Sequence, residues 1–110
     1  MEAPTSPARI ALSTAPDAET AARIARALVQ ERLAACVNLV PGVRSIYRWQ
    51  GAVEDAAEVL LVMKTRAERI DALAARLRTL HPYDLPELVV LPVSGGLAGY
   101  LDWVLAEAAA

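Results

Sequence analysis

ACVNLVPGVRSIYRWQGAVEDAAEVLLVMK, residues 35–64, is the stretch on which the fold turns. Its first half, 35–50, is rich in β-formers and is broken by Pro41-Gly42, as a bulge or bend would break it. Past the break the pattern has period two. Val43, Ser45, Tyr47 and Trp49 face one way, and Arg44, Ile46, Arg48 and Gln50 the other. Gly51 marks a turn, and 54–64 returns as a strand whose run Val59-Leu60-Leu61-Val62-Met63 is apolar on both faces. The spacing predicts a long antiparallel hairpin. Extended at about 3.3 Å per residue, 35–50 would span about 50 Å. A chain of this length folds to a globule of roughly 34 Å diameter. The hairpin must bend at Pro41-Gly42, project beyond the body, or both. A projecting arm that carries Tyr47 and Trp49 is a poor monomer surface and a good assembly arm, so the pattern predicts a homo-oligomer.

The flanks complete the architecture. Residues 9–13 form a short strand. Asp17 then caps a helix with Ala21, Ile24, Ala25, Leu28, Val29 and Leu33 at spacings of three and four, ending near Arg32. Thr65-Arg66-Ala67-Glu68 reads as a capping box opening a second helix with Ile70, Leu73, Ala74, Leu77 and Leu80 on one face. His81-Pro82-Tyr83-Asp84-Leu85-Pro86 is a loop, because two prolines in five residues end any helix. A fourth strand follows at 87–93, with Pro92 placing it at an edge or a strand end. Ser94-Gly95-Gly96 leads into a third helix with Leu97, Tyr100, Leu101, Val104 and Leu105 inward. The order β-α-β-β-α-β plus a helix predicts an α+β, ferredoxin-like fold. Both main helices lie on one face of its sheet. The other face, with Leu60 and Val62, is too apolar for water and needs a cover that the short third helix does not supply alone.

Composition narrows the function. The chain has 110 residues, 11 Lys+Arg and 13 Asp+Glu, for a net charge of −2. That disfavours nucleic acid as a partner. No segment has the apolar length of a membrane span. With one cysteine, no intrachain disulfide forms. The first residues, MEAPTSP, lack the basic and apolar regions of a signal peptide. A cytoplasmic protein is expected, with residues 1–8 as a flexible tail and 9–107 as one domain.

The chemistry candidates are few. Cys36 reads first as a packing residue. His81 sits at a helix C-terminus, where an imidazolium is favourable, and it is also the one side-chain nitrogen suited to Cu or Zn. Lys64, the single lysine, ends the buried strand. It has two candidate partners, a carboxylate such as Glu87 or an anionic ligand. Glu58 lies six residues earlier on the same side. Tyr47, Trp49, Tyr83 and Trp103 read as packing and interface groups. Ser94-Gly95-Gly96 lacks the spacing of a phosphate loop. No nucleophile, zinc-protease or paired-carboxylate motif is present, so no enzyme and no required cofactor is expected.

Taken together, STAPD (13–17), AACVN (34–38), SIYRWQG (45–51), Glu58 through Lys64-Thr65, HPYDLPE (81–87), LPV (91–93) and YLDW (100–103) resemble the CutA divalent-cation-tolerance proteins. The resemblance covers about residues 9–105. It implies a homotrimer, PII-like in architecture, with sheets around a threefold axis and a role in tolerance to copper and other divalent cations. Metal-binding members carry a Cys just before Thr-Ala-Pro-Asp and two consecutive His before Pro-Tyr. Here those positions hold Ser13, Leu80 and His81, so any Cu or Zn binding is expected to be weak and to depend on His81. Two functions follow from the resemblance. One is a metal-responsive trimer. The other is a PII-like adaptor that holds a small anionic ligand or a partner chain in inter-subunit pockets lined by Trp49, Glu58, Lys64, His81, Tyr83 and Glu87. Tyr47, Trp49 and Trp103 would serve assembly.

Overall fold

The computed structural model describes residues 6–110. The first five residues of the expected 1–8 tail lie outside the described part. Of its last three, Ala8 opens the first strand, and the Pro7 carbonyl accepts a hydrogen bond from the Ala67 N–H at 2.9 Å.

The elements are β1 (Ala8–Ala15), α1 (Ala18–Gln30), β2 (Cys36–Trp49), β3 (Ala52–Arg66), a 3-10 turn (Ala67–Arg69), α2 (Ile70–Leu80), β4 (Val89–Pro92) and α3 (Ala98–Glu107). They form the expected α+β arrangement. One four-stranded antiparallel sheet runs in the order β2-β3-β1-β4. Asp17 caps α1: its Oδ1 accepts the Thr20 N–H at 2.7 Å, which holds the carboxyl below its ordinary range. Ala21, Ile24, Ala25 and Leu28 are the buried stripe of α1. They pack with Leu73 and Leu77 of α2 onto Ala11, Ala15, Val59, Leu61 and Met63 of the sheet. Truncating a fully buried leucine here, such as Leu28 or Leu61, would cost about 2–5 kcal/mol.

The second helix does not start as the capping box predicts. The Thr65 hydroxyl turns inward and donates to the Leu33 carbonyl at 2.7 Å, fully buried. Glu68 instead pairs with Arg66 beside a 3-10 turn. The tertiary bond outcompetes the local one because it satisfies a buried carbonyl.

Strand alternation sets the other face. Ile10, Leu12 and Thr14 of β1 share it with Glu58, Leu60, Val62 and Lys64 of β3 and with Val89 and Leu91 of β4. Cys36, Asn38 and Val40 join them from β2. The register then shifts by one residue at Pro41-Gly42, where Gly42 has φ +76°, and Val43 lies opposite Glu58. This is a β-bulge, and beyond it Ser45, Tyr47 and Trp49 occupy the same open face.

Two elements cover parts of this face: the loop after α2, which sets Tyr83 against Glu58, and α3 at the opposite end. Val104 and Ala108 pack there with Ala8 and Ala35. Two arginines donate to the carbonyls at the C-terminus of the helix, where the regular helical bonds run out. Arg66 donates to Leu105 O at 2.8 Å, and Arg32 donates to Ala106 O at 2.8 Å and Ala109 O at 3.1 Å. Leu97, expected inward, precedes the helix and is 82% exposed. Across the rest of the face Val40, Val89 and Leu91 stand exposed. The long axis of the molecule is 43 Å and its radius of gyration 14.5 Å, against about 13 Å for a compact chain of this size, as a projecting hairpin requires.

Candidate functional site

The loop after α2, the end of β1 and the root of the β2–β3 hairpin meet at one place. His81 organises it. As the C-cap of α2 it donates its N–H to Leu77 O at 2.9 Å. The residue is 7% exposed, Nδ1 accepts the Tyr83 N–H at 3.1 Å, and Nε2 lies 2.7 Å from Thr14 O. Because Nδ1 accepts, the proton is assigned to Nε2, which donates to Thr14. The imidazole thus pins the loop to β1.

The pinned loop presents Tyr83. Its ring centroid lies 4.6 Å from that of His81, and its hydroxyl donates to Glu58 Oε2 at 2.9 Å. Burial, the bond to Glu58 and the charge of Glu58 push the Tyr83 phenol up to about 12. Burial, followed by the charge of Glu58, also pushes Glu87 above the ordinary glutamate range. These groups line an open cleft of about 980 Å³ between the 82–89 loop and the hairpin, with Thr14, Tyr47, Trp49 and Asp84. Its charged lining side chains, Glu58, Asp84 and Glu87, are all acidic.

The cleft brings together Trp49, Glu58, Tyr83 and Glu87 of the expected pocket. Lys64 is elsewhere. It lies six residues along β3 from Glu58, about 20 Å at strand spacing. Its Nζ sits 5.5 Å from the centre of the Tyr100 ring. It forms no ion pair with Glu87 among the described residues. Trp103 stacks near Tyr100 with centroids 5.6 Å apart, at the α3 end of the molecule and away from the cleft.

The same geometry bears on His81 as a metal ligand. Both ring nitrogens are committed within the chain, so ligation would break one of the two bonds that pin the loop. No group of three or more His, Cys, Asp or Glu side chains is placed to hold a metal among the described residues. Ser13 faces the helices, fully buried, and its hydroxyl has no hydrogen-bond partner. Cys36, expected to be buried, is half-buried on the open face opposite Lys64, its Sγ 3.8 Å from Asn38 Oδ1.

Sequence reasoning missed Thr14 and Asp84. Thr14 was within reach. A first strand continued to Ala15 puts it on the open face with Ile10 and Leu12 by alternation alone. Asp84 carries no such signal, since its position depends on how the two prolines fold the loop.

A ferredoxin-like α+β domain with one open sheet face, an over-long bulged hairpin and a cleft at its root is the class that these elements define. The chain belongs to the CutA1 divalent ion tolerance protein family, whose model matches residues 9–107. It is 53% identical over 95 residues to the divalent-cation tolerance protein CutA of Thermus thermophilus, covering 86% of this chain and 92% of that protein. The crystal structure of CutA from Xylella fastidiosa superposes with a TM-score of 0.92 at 48% identity, covering 94% of this chain and 100% of that one. The structure of the PII-like protein CutA from Nostoc superposes at 0.85 with 48% identity, over 92% and 97% of the two chains. Relatives differ in compartment by name. One from Oryza sativa is chloroplastic, and one from Archaeoglobus fulgidus is periplasmic. Family membership therefore carries no single address. No helix among the described residues is long and apolar enough to cross a membrane.

Proposed function

We propose that this protein works as a homotrimer in the divalent-cation tolerance role of its family, as a binding protein without enzymatic activity or a required cofactor. The observation that carries the reading is the uncovered apolar face of the sheet, continued by a hairpin with Tyr47 and Trp49 on that same side. A threefold arrangement would bury these surfaces together, and subunit burial would add to a small core. Sedimentation velocity at micromolar concentration tests it. A species of three times the 11.7 kDa chain mass is expected. A concentration-independent monomer overturns the assembly.

Copper or zinc binds weakly in this reading, because the thiolate and imidazole positions hold Ser13 and Leu80 and the His81 ring is occupied. Titration with Cu(II) checks it, and tight stoichiometric binding would overturn it. The cytoplasm is the proposed compartment, in keeping with one unpaired cysteine.

The second reading, a PII-like adaptor, is favoured by the cleft at the hairpin root. Its lining changes the expected ligand. With Lys64 at the far end of β3 and only acids in the cleft, this chain offers an anionic ligand no counter-charge there.

A further inference from the structure

We propose that each subunit of the trimer gives Lys64 to the acidic hairpin root of the next, where its ammonium pairs with Glu58, so that the cleft is complete only between two copies of this chain. The inference rests on the trimer reading above and names a contact that closes it.

The open face of the sheet is electrically lopsided. By alternation it carries Glu54, opposite Tyr47, and then Glu58 on the hairpin side, and Glu87 lines the same cleft as Glu58. Lys64 and Arg66 stand at the other end, with Leu60 and Val62 between on β3. Arg66 is spent within the chain, on Glu68 and on Leu105 O. Lys64 is not. This single lysine is half-buried and has no carboxylate within ion-pair distance among the described residues. Its Nζ rests instead toward the face of Tyr100. Glu58 is its counterpart. It is 8% exposed and forms no ion pair among the described residues, and the Tyr83 hydroxyl takes Oε2 and leaves Oε1 to accept a second donor.

Covering the face puts both charges at risk. A neighbour laid on it removes the water that still reaches them, and a buried charge without a partner is costly. The chain cannot settle this alone, because the two groups are about 20 Å apart along β3. No Lys or Arg lines the cleft. Arg44 and Arg48 lie on the other face of the hairpin, and Arg44 is tied to Asp55 by hydrogen bonds of 2.9 and 2.6 Å.

A second copy answers both needs. In a cyclic ring the contact is heterologous, so one patch of a subunit meets a different patch of the next. The acidic end of one face then meets the cationic end of another. The hairpin sets the direction. β3 runs from the hairpin tip through Glu58 to Lys64, so an arm that projects onto a neighbour leads with its acidic end. A free amine or a metal ion would bring charge to Glu58 but no cover for Val40, Val89 and Leu91. A second copy brings both.

A double-mutant cycle on assembly tests this, read by sedimentation velocity over a dilution series of the full chain. Lys64→Met and Glu58→Gln should each raise the protomer concentration at which the trimer dissociates at least tenfold. The double variant should fall no further than the worse single one, because each single change strands the other charge. Arg26→Glu, exposed on α1, should leave the trimer unchanged. Effects of the two changes that multiply, or a Lys64→Met trimer as tight as wild type, would overturn the proposal. Where Glu58→Gln fails to fold, zero-length carbodiimide coupling of the wild-type oligomer carries the test. Lys64 is expected joined to Glu58 of a second copy in a species of twice the chain mass, and Lys64 joined only to other carboxylates would overturn the pairing. The two failures are distinguishable. A wild-type trimer without coupling between the sites overturns the lysine assignment alone, and a wild-type monomer overturns the assembly beneath it.

Discussion

Ser13 and Thr65 carry fully buried hydroxyls on neighbouring strands of one sheet, yet their removal should change stability in opposite directions. Both side chains are 0% exposed. The Thr65 hydroxyl donates to Leu33 O at 2.7 Å, whereas the Ser13 hydroxyl meets no acceptor or donor. Burying a polar group without a partner costs about 1–3 kcal/mol. Ser13→Ala removes that cost and forfeits the dispersion contacts of one oxygen, each worth about 0.1–0.2 kcal/mol. The net expectation is a gain of about 1 kcal/mol. Thr65→Val keeps the shape but orphans the Leu33 carbonyl, and a loss of about 1–2 kcal/mol is expected. Urea unfolding at fixed protomer concentration reads both, since assembly makes the midpoint concentration-dependent. The m-values should match the wild type, with the two midpoints moving to either side of it. A Ser13→Ala variant that loses 1 kcal/mol, or two shifts of the same sign, would refute the reasoning that the partner decides the outcome.

Other perturbations follow from the same geometry. Trp49→Ala should lower the trimer fraction at low concentration by sedimentation while leaving the far-ultraviolet circular dichroism of the subunit intact; an undiminished trimer would show that the hairpin tip is not an anchor. In an alkaline absorbance titration, one of the three tyrosines should ionise late, near pH 12, and Tyr83→Phe should remove that step. Its raised pKa contributes stability that is complete below pH 10 and is lost as the pH rises toward 12, so Tyr83→Phe should narrow the gap to wild type across that window. Glu87 is also raised, so its contribution is present below the ordinary glutamate value of 4.5 and lost above it. Glu87→Gln should therefore be slightly more stable than wild type at pH 7 and equal to it near pH 3 in thermal melts.

The fold was legible because its signals are local and repeat. Two helical stripes, a strand pair of period two and a two-proline loop each point one way, and chain order does the rest. The bulge at Pro41-Gly42 announced itself by composition. What failed were groups with two local options. Thr65 had a capping partner in Glu68 and a tertiary one in Leu33 O, and only the folded chain shows that β3 ends beside Leu33. Leu97 has the composition of a core residue, but it precedes α3 and points outward. Lys64 and Glu58 share a strand face, which sequence reading could see. Their separation along that face is what keeps them out of one site. His81 was readable as a ligand from its type. Its commitment to Thr14 O and the Tyr83 N–H depends on where α2 ends relative to β1, which no residue spacing encodes.

The bulge in β2 separates two properties that usually travel together in a hairpin. Val40 lies opposite Leu60 and Val43 opposite Glu58, so Pro41 and Gly42 share the space facing Val59. Deleting either one leaves every other cross-strand partner in place and every side chain on its present side, from Cys36 to Trp49. What changes is the local bend and twist of the arm. The direction in which the hairpin points is thus adjustable at a single position without rewriting what it carries. Insertions and deletions between residues 40 and 43 are a route by which an arm of this kind could be re-aimed while its aromatic tip and acidic root stay chemically the same.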